Sequence, residues 1–425
     1  MSIPLLAHGF GDIGDLPVTL PVLLAVAGGA VMGTAALLGA RATGSGRARP
    51  GRRLPAGVTA VADHPVARGL LRAGAAALLG LAAVTAALGA DDFLTNPAPA
   101  LFFAAFWVGV LLVGSVLLGP VWRVANPLRA VSGGLARLSG DPHDRLVRPL
   151  PERLGVWPGA AMLAVVVWAE LVATRRPITV LVLLAAYALT QVGAAAVYGR
   201  AWYRHGDGFQ VYSTMVGWLA PLGRDPGGAL VVRSPRRRLA ALEAPAGLLA
   251  VVAVLLGGHL FDSLSDTLAW QQVLFGRPRA ALQTAGLAAC IGAVGALGAG
   301  VTRARFLRPA LVPLVVAYGV AHHFGPLLVE LQHAAITLSD PFGRGADLLG
   351  LTGREVTYEA VPAALAAVSQ LVAFIGFHVL AVVVAHDRAF ARYDPRGARA
   401  VQFPLRVLLV VSVVGGVALR FAGPG

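Results

Sequence analysis

The chain of 425 residues is 57% hydrophobic and 13% charged, with a mean hydropathy of +0.72; a soluble domain carries roughly 25% charge. Its net charge of +14 comes from 35 basic residues, all arginine, spread over the gaps between apolar runs. That spread reads as an orientation signal and excludes a nucleic-acid partner. The lone cysteine, Cys290, excludes an intrachain disulfide and a cysteine-based metal cluster.

In chain order, residues 1–15 lack the basic stretch of a secretory signal and carry Asp12 and Asp15 without arginine, so the tail is expected outside. Gly9-Phe10-Gly11-Asp12-Ile13-Gly14 has the form GxGxxG. No strand precedes it and a membrane helix follows, so it is not a dinucleotide fingerprint. Ten apolar runs of membrane-spanning length follow, at about 18–40, 70–90, 98–119, 155–173, 177–199, 245–262, 281–300, 309–333, 360–386 and 401–421. Alternate gaps (41–72, 123–153, 200–238, 303–308 and 388–406) hold 28 of the 35 arginines. By the positive-inside bias these gaps are cytoplasmic.

Two cytoplasmic gaps are long. Residues 122–154 place Leu128, Val131, Leu135 and Leu138 at helical spacing among arginines. Residues 200–244 place Phe209, Tyr212, Val216 and Leu219 on one face, and a further helix starts at Ser234-Pro235. Both are expected to be amphipathic helices lying on an anionic leaflet. Gly28, Gly29 and Gly33, and Gly292, Gly295 and Gly300, are expected to allow close helix approach. Glu170, beside Arg175 and Arg176, reads as a local salt bridge.

The predicted architecture is all-α: a polytopic transmembrane helical bundle of about ten spans, one integral domain over 1–425, with both termini extracytoplasmic in the inner (plasma) membrane. The bilayer is its expected partner, and a partner membrane subunit is left open. No Walker A loop, GxSxG, HExxH or CxxC motif occurs.

Chemistry concentrates in the eighth run. Ionisable groups inside a span are costly and face protein or a wet cavity. At about 100° per residue, His322, Glu330 and His333 fall in one sector, with His323 beside it. Glu330 and His333 have the i, i+3 spacing of carboxylate-bridged metal bundles; polar glue between helices is the competing reading. His259 and Asp262 share the same spacing where the sixth run ends. Imidazole plus carboxylate suits a divalent transition metal. A capped helix end explains the same pair. His378, in the ninth run, could join His322 as an axial haem ligand. Their depths differ, about 20 Å against about 12 Å from the inner helix ends. His386, with Asp387 and Arg388, reads as a solvated rim.

The segments AHGFGDIGDLP (7–17), GPVWRVANPLRA (119–130), FDSLSDT (261–267), LVPLVVAYGVAHHFGPLL (311–328), SDPFGRGADLLG (339–350) and HVLAVVVAHDRA (378–389) resemble a family of multi-pass membrane proteins of bacteria and haloarchaea known as fenitrothion hydrolase. The resemblance implies cleavage of organophosphate triesters. It is carried best by His8, the Asp262 turn, His322, Asp340 and His378. The chain departs from the family pattern at Gly319, where a histidine is expected, and at His323, where an aromatic is expected; the Glu330/His333 pair is not part of that pattern. Combining both lines, a metal held by His8, His259, Asp262, His322, His333 and Asp340 would activate water, with Glu330 as ligand or general base. Two alternatives stand: a transporter or proton/cation conductor, and a haem-binding or assembly subunit using His378.

Overall fold

The computed structural model describes residues 19–40, 51–140, 147–173, 176–358 and 361–421. Helices dominate. They are α1 (Leu20–Ala40), α2 (Ala56–Asp63), α3 (Pro65–Leu88), a wide-wound π-helix (Ala100–Gly114) continued by α4 (Ser115–Leu118), α5 (Trp122–Ala125), α6 (Leu128–Leu138), α7 (Trp157–Leu171), α8 (Pro177–Tyr198), α9 (Gly208–Val216), α10 (Pro235–Ala241), α11 (Leu248–Ser265), α12 (Leu268–Leu274), α13 (Arg279–Val301), α14 (Val312–Thr337), α15 (Ala363–Phe390) and α16 (Pro395–Phe421). Among the described residues nine helices are long and apolar enough to cross a membrane, and α7 is a shorter apolar helix of 15 residues, about 22 Å long. The chain is a multi-pass membrane protein. Each of the ten expected runs became a helix.

Local chemistry fixes several ends. His64 accepts from the backbone N–H of Val66 and Pro65 opens α3, so the first turn is capped and pre-set. Gly247 precedes α11 with φ 87°, and an added Cβ there would lie 2.9 Å from the backbone nitrogen of Trp157. Only glycine fits that conformation and that approach.

The arginine-rich gaps all meet at one end of the bundle. β1 (Arg52–Arg53) pairs with β3 (Leu230–Val232), which pairs with β2 (Leu222–Arg224), an antiparallel sheet in the order β1-β3-β2. Arg72 donates to the Val124 carbonyl at 3.1 Å, and Arg399 to that of Gly39 at 2.9 Å. Arg388 is buried and donates to the carbonyls of Phe306, Leu239, Ala240 and Leu242. Beside it Arg236 clasps Asp387 through two bonds, at 2.6 and 2.9 Å. Asp387 and Arg388 therefore form a buried clamp, where the sequence suggested a solvated rim. At the opposite end Arg176 pairs with Asp91.

The two long gaps diverge from their shared expectation. α6 does leave Val131, Leu135 and Leu138 exposed along one side, as a helix at a membrane interface would. α9 does not. Phe209, Tyr212, Val216 and Leu219 are all buried, and Phe209 packs edge-on against Phe106 at 5.0 Å. The helix is capped by Asp207, which accepts from the Gln210 N–H. Asn126 donates to the same carboxylate at 2.7 Å and Tyr187 at 3.2 Å. A short helix folded back into a bundle is tolerated where protein surrounds it, and here these buried partners satisfy its first turn.

Of the glycines the runs suggested, Gly28 lies closest to a neighbouring helix, its Cβ position 3.2 Å from Val414 Cγ2, and Gly295 is in ordinary contact, 3.5 Å from Ala253 Cβ. A Cβ on Gly29, Gly33, Gly292 or Gly300 would meet nothing within 4 Å. On Gly257 it would lie 2.6 Å from Ile291 Cα, and on Gly258 2.7 Å from Val167 Cγ1. Thus α11 presses its backbone against α13 on one side and α7 on the other.

Candidate functional site

α11 carries His259 and Asp262 one turn apart near the arginine-poor end, and its glycines hold it tightly between α7 and α13. α14 brings His322 and His323 alongside. Pro326 lies inside α14. Its ring nitrogen has no hydrogen to give the His322 carbonyl, where any other residue four positions on would donate, so the continuous helix lacks one bond of its ladder at this level.

His322 Nε2 lies 2.6 Å from Asp262 Oδ2, a short contact of the charge-assisted kind. The His259 ring lies 5.5 Å from that of His322 and 5.3 Å from that of His323. His322 and His323 stand edge-to-face at 4.8 Å. Three imidazoles and a carboxylate from two helices thus share one cluster.

A small cavity opens beside it, lined by Trp107, Val167, Glu170, Leu171, Tyr212, Leu255, Gly258, His259, Asp262 and His323. Trp107 of the π-helix and Tyr212 of α9 stack at 4.8 Å, and both are buried. They close one end of the cavity with aromatic surface. The folded-back α9 therefore has a position in the site: it delivers Tyr212 to the floor.

The other candidates lie elsewhere. His8, with the Gly9–Gly14 motif, is outside the described residues. Glu330 Oε2 and His333 Nδ1 are 4.0 Å apart, and His333 Nε2 donates to the Leu94 carbonyl at 2.8 Å. Glu330 is eight residues beyond His322, about 12 Å along the axis, and the cavity lining does not include it. Asp340 accepts from the backbone N–H groups of Arg344 and Gly345, both at 2.8 Å. Those donors, Arg344 first, hold its carboxyl below the usual value, so it organises a loop. His378 is buried, with Nδ1 donating to the Phe374 carbonyl at 2.8 Å and Nε2 3.1 Å from Ser412 Oγ. Phe374 and Tyr318 pack on its ring at 4.5 and 6.0 Å. An axial haem ligand would need a ring nitrogen that these contacts already engage.

Sequence reasoning did not place Glu170 at the cavity, whose lining it joins; of the two arginines beside it in sequence, Arg176 pairs with Asp91 and Arg175 lies outside the described residues. The available signal was its isolation as the one charged residue of an otherwise apolar helix. Trp107 and Tyr212 gave no such signal, because buried aromatics in an apolar run look like packing.

The donors do not fit the expected metal. Among the described residues no three of His, Cys, Asp or Glu are arranged to hold a metal ion, and Asp262 is already engaged by His322. The cluster sets imidazoles beside a carboxylate, groups able to exchange protons, at a cavity whose lining mixes polar and apolar side chains. No family model, curated protein or solved structure matches this chain.

Proposed function

We propose that this protein is a membrane-embedded hydrolase of lipophilic phosphotriesters that works by proton transfer. We place it in the inner (plasma) membrane, with both termini and the cavity on the outer side. The reading is supported by the Asp262–His322 contact of 2.6 Å at a cavity floored by Trp107 and Tyr212. It also draws on the resemblance of the segments around Asp262 and His322 to triester-cleaving membrane proteins.

A neutral triester partitions into the bilayer and enters between helices, its apolar substituents against the aromatic floor. His259 accepts a proton from water as the water oxygen bonds to phosphorus. The scissile P–O bond breaks, and the departing alkoxide or aryloxide takes that proton, leaving the diester. Asp262, one turn further along α11, stabilises the imidazolium that forms transiently on His259; its contact with His322 fixes the carboxylate in place.

The test is turnover of a neutral triester with a coloured leaving group by detergent-purified protein. Asp262→Asn and His259→Ala should each lower kcat/KM by at least about tenfold. Turnover unchanged in both variants would refute the assignment. A transport reading leans on Gln370, His378 and His386, buried on α15 at intervals of eight residues. Phe374 packs between Tyr318 and His378 and interrupts that polar line, which disfavours conduction. Proton flux in proteoliposomes, abolished by His378→Ala, would restore it.

A further inference from the structure

At the arginine-rich end, Arg236 holds Asp387, Arg224 holds Asp63 and Arg53 holds Asp225. Arg399 and Arg406 of α16 differ. Seven residues apart, they share one face of the helix, and each charge acts on the other. Among the described residues neither forms an ion pair. Arg399 donates to the Gly39 carbonyl at 2.9 Å, where α1 ends. His386 Nδ1 of α15 accepts from Arg406 Nη2 at 3.4 Å, which steadies the guanidinium without neutralising it. The buried Arg406 Nε meets no acceptor. Residues 41–50, which follow α1 and lie outside the described residues, add three arginines and no acid. Arg406 also stands five residues inside the apolar run that begins at 401, about 8 Å along the axis, a depth at which an arginine is costly and marks a functional position.

We infer that Arg399 and Arg406 form a phosphate site between α1, α15 and α16, filled by the headgroup of an anionic phospholipid, with His386 as the residue that positions Arg406. Arg399 is exposed and Arg406 half-buried, so the pair leads from the helix surface into the bundle. Guanidinium forks match phosphate oxygens, and the phosphate supplies the counter-charge that the protein lacks here. The anion that a bilayer offers at this level is a lipid headgroup, and basic pockets between spans on the cytoplasmic side are where such headgroups bind. The site lies at the opposite end of the bundle from His259 and Asp262, and it stands whether or not the protein cleaves esters.

The experiment titrates protein purified in neutral detergent with phosphatidylglycerol or phosphatidylcholine and counts bound lipid by native mass spectrometry. The wild type should prefer phosphatidylglycerol, and Arg406→Gln and Arg399→Gln should each weaken that lipid by about fivefold, the effect of one arginine at an anionic surface. Phosphatidylcholine binding should not change in either variant, which shows that the fold is kept. Arg396→Gln removes an exposed arginine from the same end of α16 and should bind as the wild type does. Unchanged phosphatidylglycerol binding in Arg406→Gln and Arg399→Gln, or an equal loss in Arg396→Gln, would overturn the site, the second by reducing it to the general charge of that face. Displacement of phosphatidylglycerol by millimolar inorganic phosphate would overturn the lipid as occupant in favour of a free anion.

Discussion

Gly257→Ala tests whether tight packing of α11 positions the site. The added methyl would start 2.6 Å from Ile291 Cα and 2.8 Å from Ile291 N. Carbon atoms sit comfortably at about 3.5–4.0 Å, so α11 must move by about 1 Å, and backbone atoms cannot rotate away as a side chain could. Overpacking of this kind costs about 1–3 kcal/mol, set against a gain of about 1 kcal/mol from replacing glycine by alanine in a helix. Gly292→Ala on the facing helix makes the same replacement with nothing within 4 Å, so it isolates the propensity gain. Unfolding by SDS titration in mixed micelles should therefore place Gly257→Ala about 1–3 kcal/mol below Gly292→Ala. A shift of about 1 Å is also enough to take the Asp262–His322 contact from 2.6 Å beyond hydrogen-bond range, so activity should fall more steeply in Gly257→Ala than stability does. Equal stability of the two variants would refute this account of the α11–α13 contact.

Arg388→Met should lower unfolding stability by at least about 3 kcal/mol, because the guanidinium serves four carbonyls and charged hydrogen bonds contribute about 1.5–3 kcal/mol each without being additive; stability near that of the wild type in the same titration would count against the clamp. Asp63 is held below its ordinary pKa of 3.8, chiefly because Arg224 donates to it. The folded pKa is the lower one, so this contribution is present above pH 3.8 and disappears as pH falls through the folded value. Asp63→Asn should therefore flatten the acid limb of the stability profile, and an identical limb in wild type and variant would contradict the pairing. For orientation, Leu138→Cys and Phe275→Cys replace exposed residues at the arginine-rich and arginine-poor ends, while the native Cys290 is buried. An impermeant thiol reagent added to intact cells should label position 275 and spare 138. The reverse pattern would invert the bundle.

The sequence alone determined that this is an all-α membrane bundle and which gaps share an end. Apolar runs must hydrogen-bond internally in lipid, and arginine resists translocation, so both features are written in local composition. It also singled out His259, Asp262 and His322, because ionisable residues stand out in apolar helices. Only tertiary structure decided which of them meet. Helical spacing relates residues on one helix, so it grouped Glu330 and His333 with His322; but contacts between helices depend on where backbones can approach. Gly257 and Gly258 hold α11 against its neighbours, and α14 stands beside it. That packing pairs Asp262 with His322 and draws Glu170 in from α7. It leaves Glu330 beside His333, which donates to the Leu94 carbonyl, and His378 beside Ser412. The same limit hid α9: an amphipathic pattern records an apolar face without recording whether lipid or protein will cover it, and here Asp207, Asn126 and Tyr187 fold that face inward to floor the cavity.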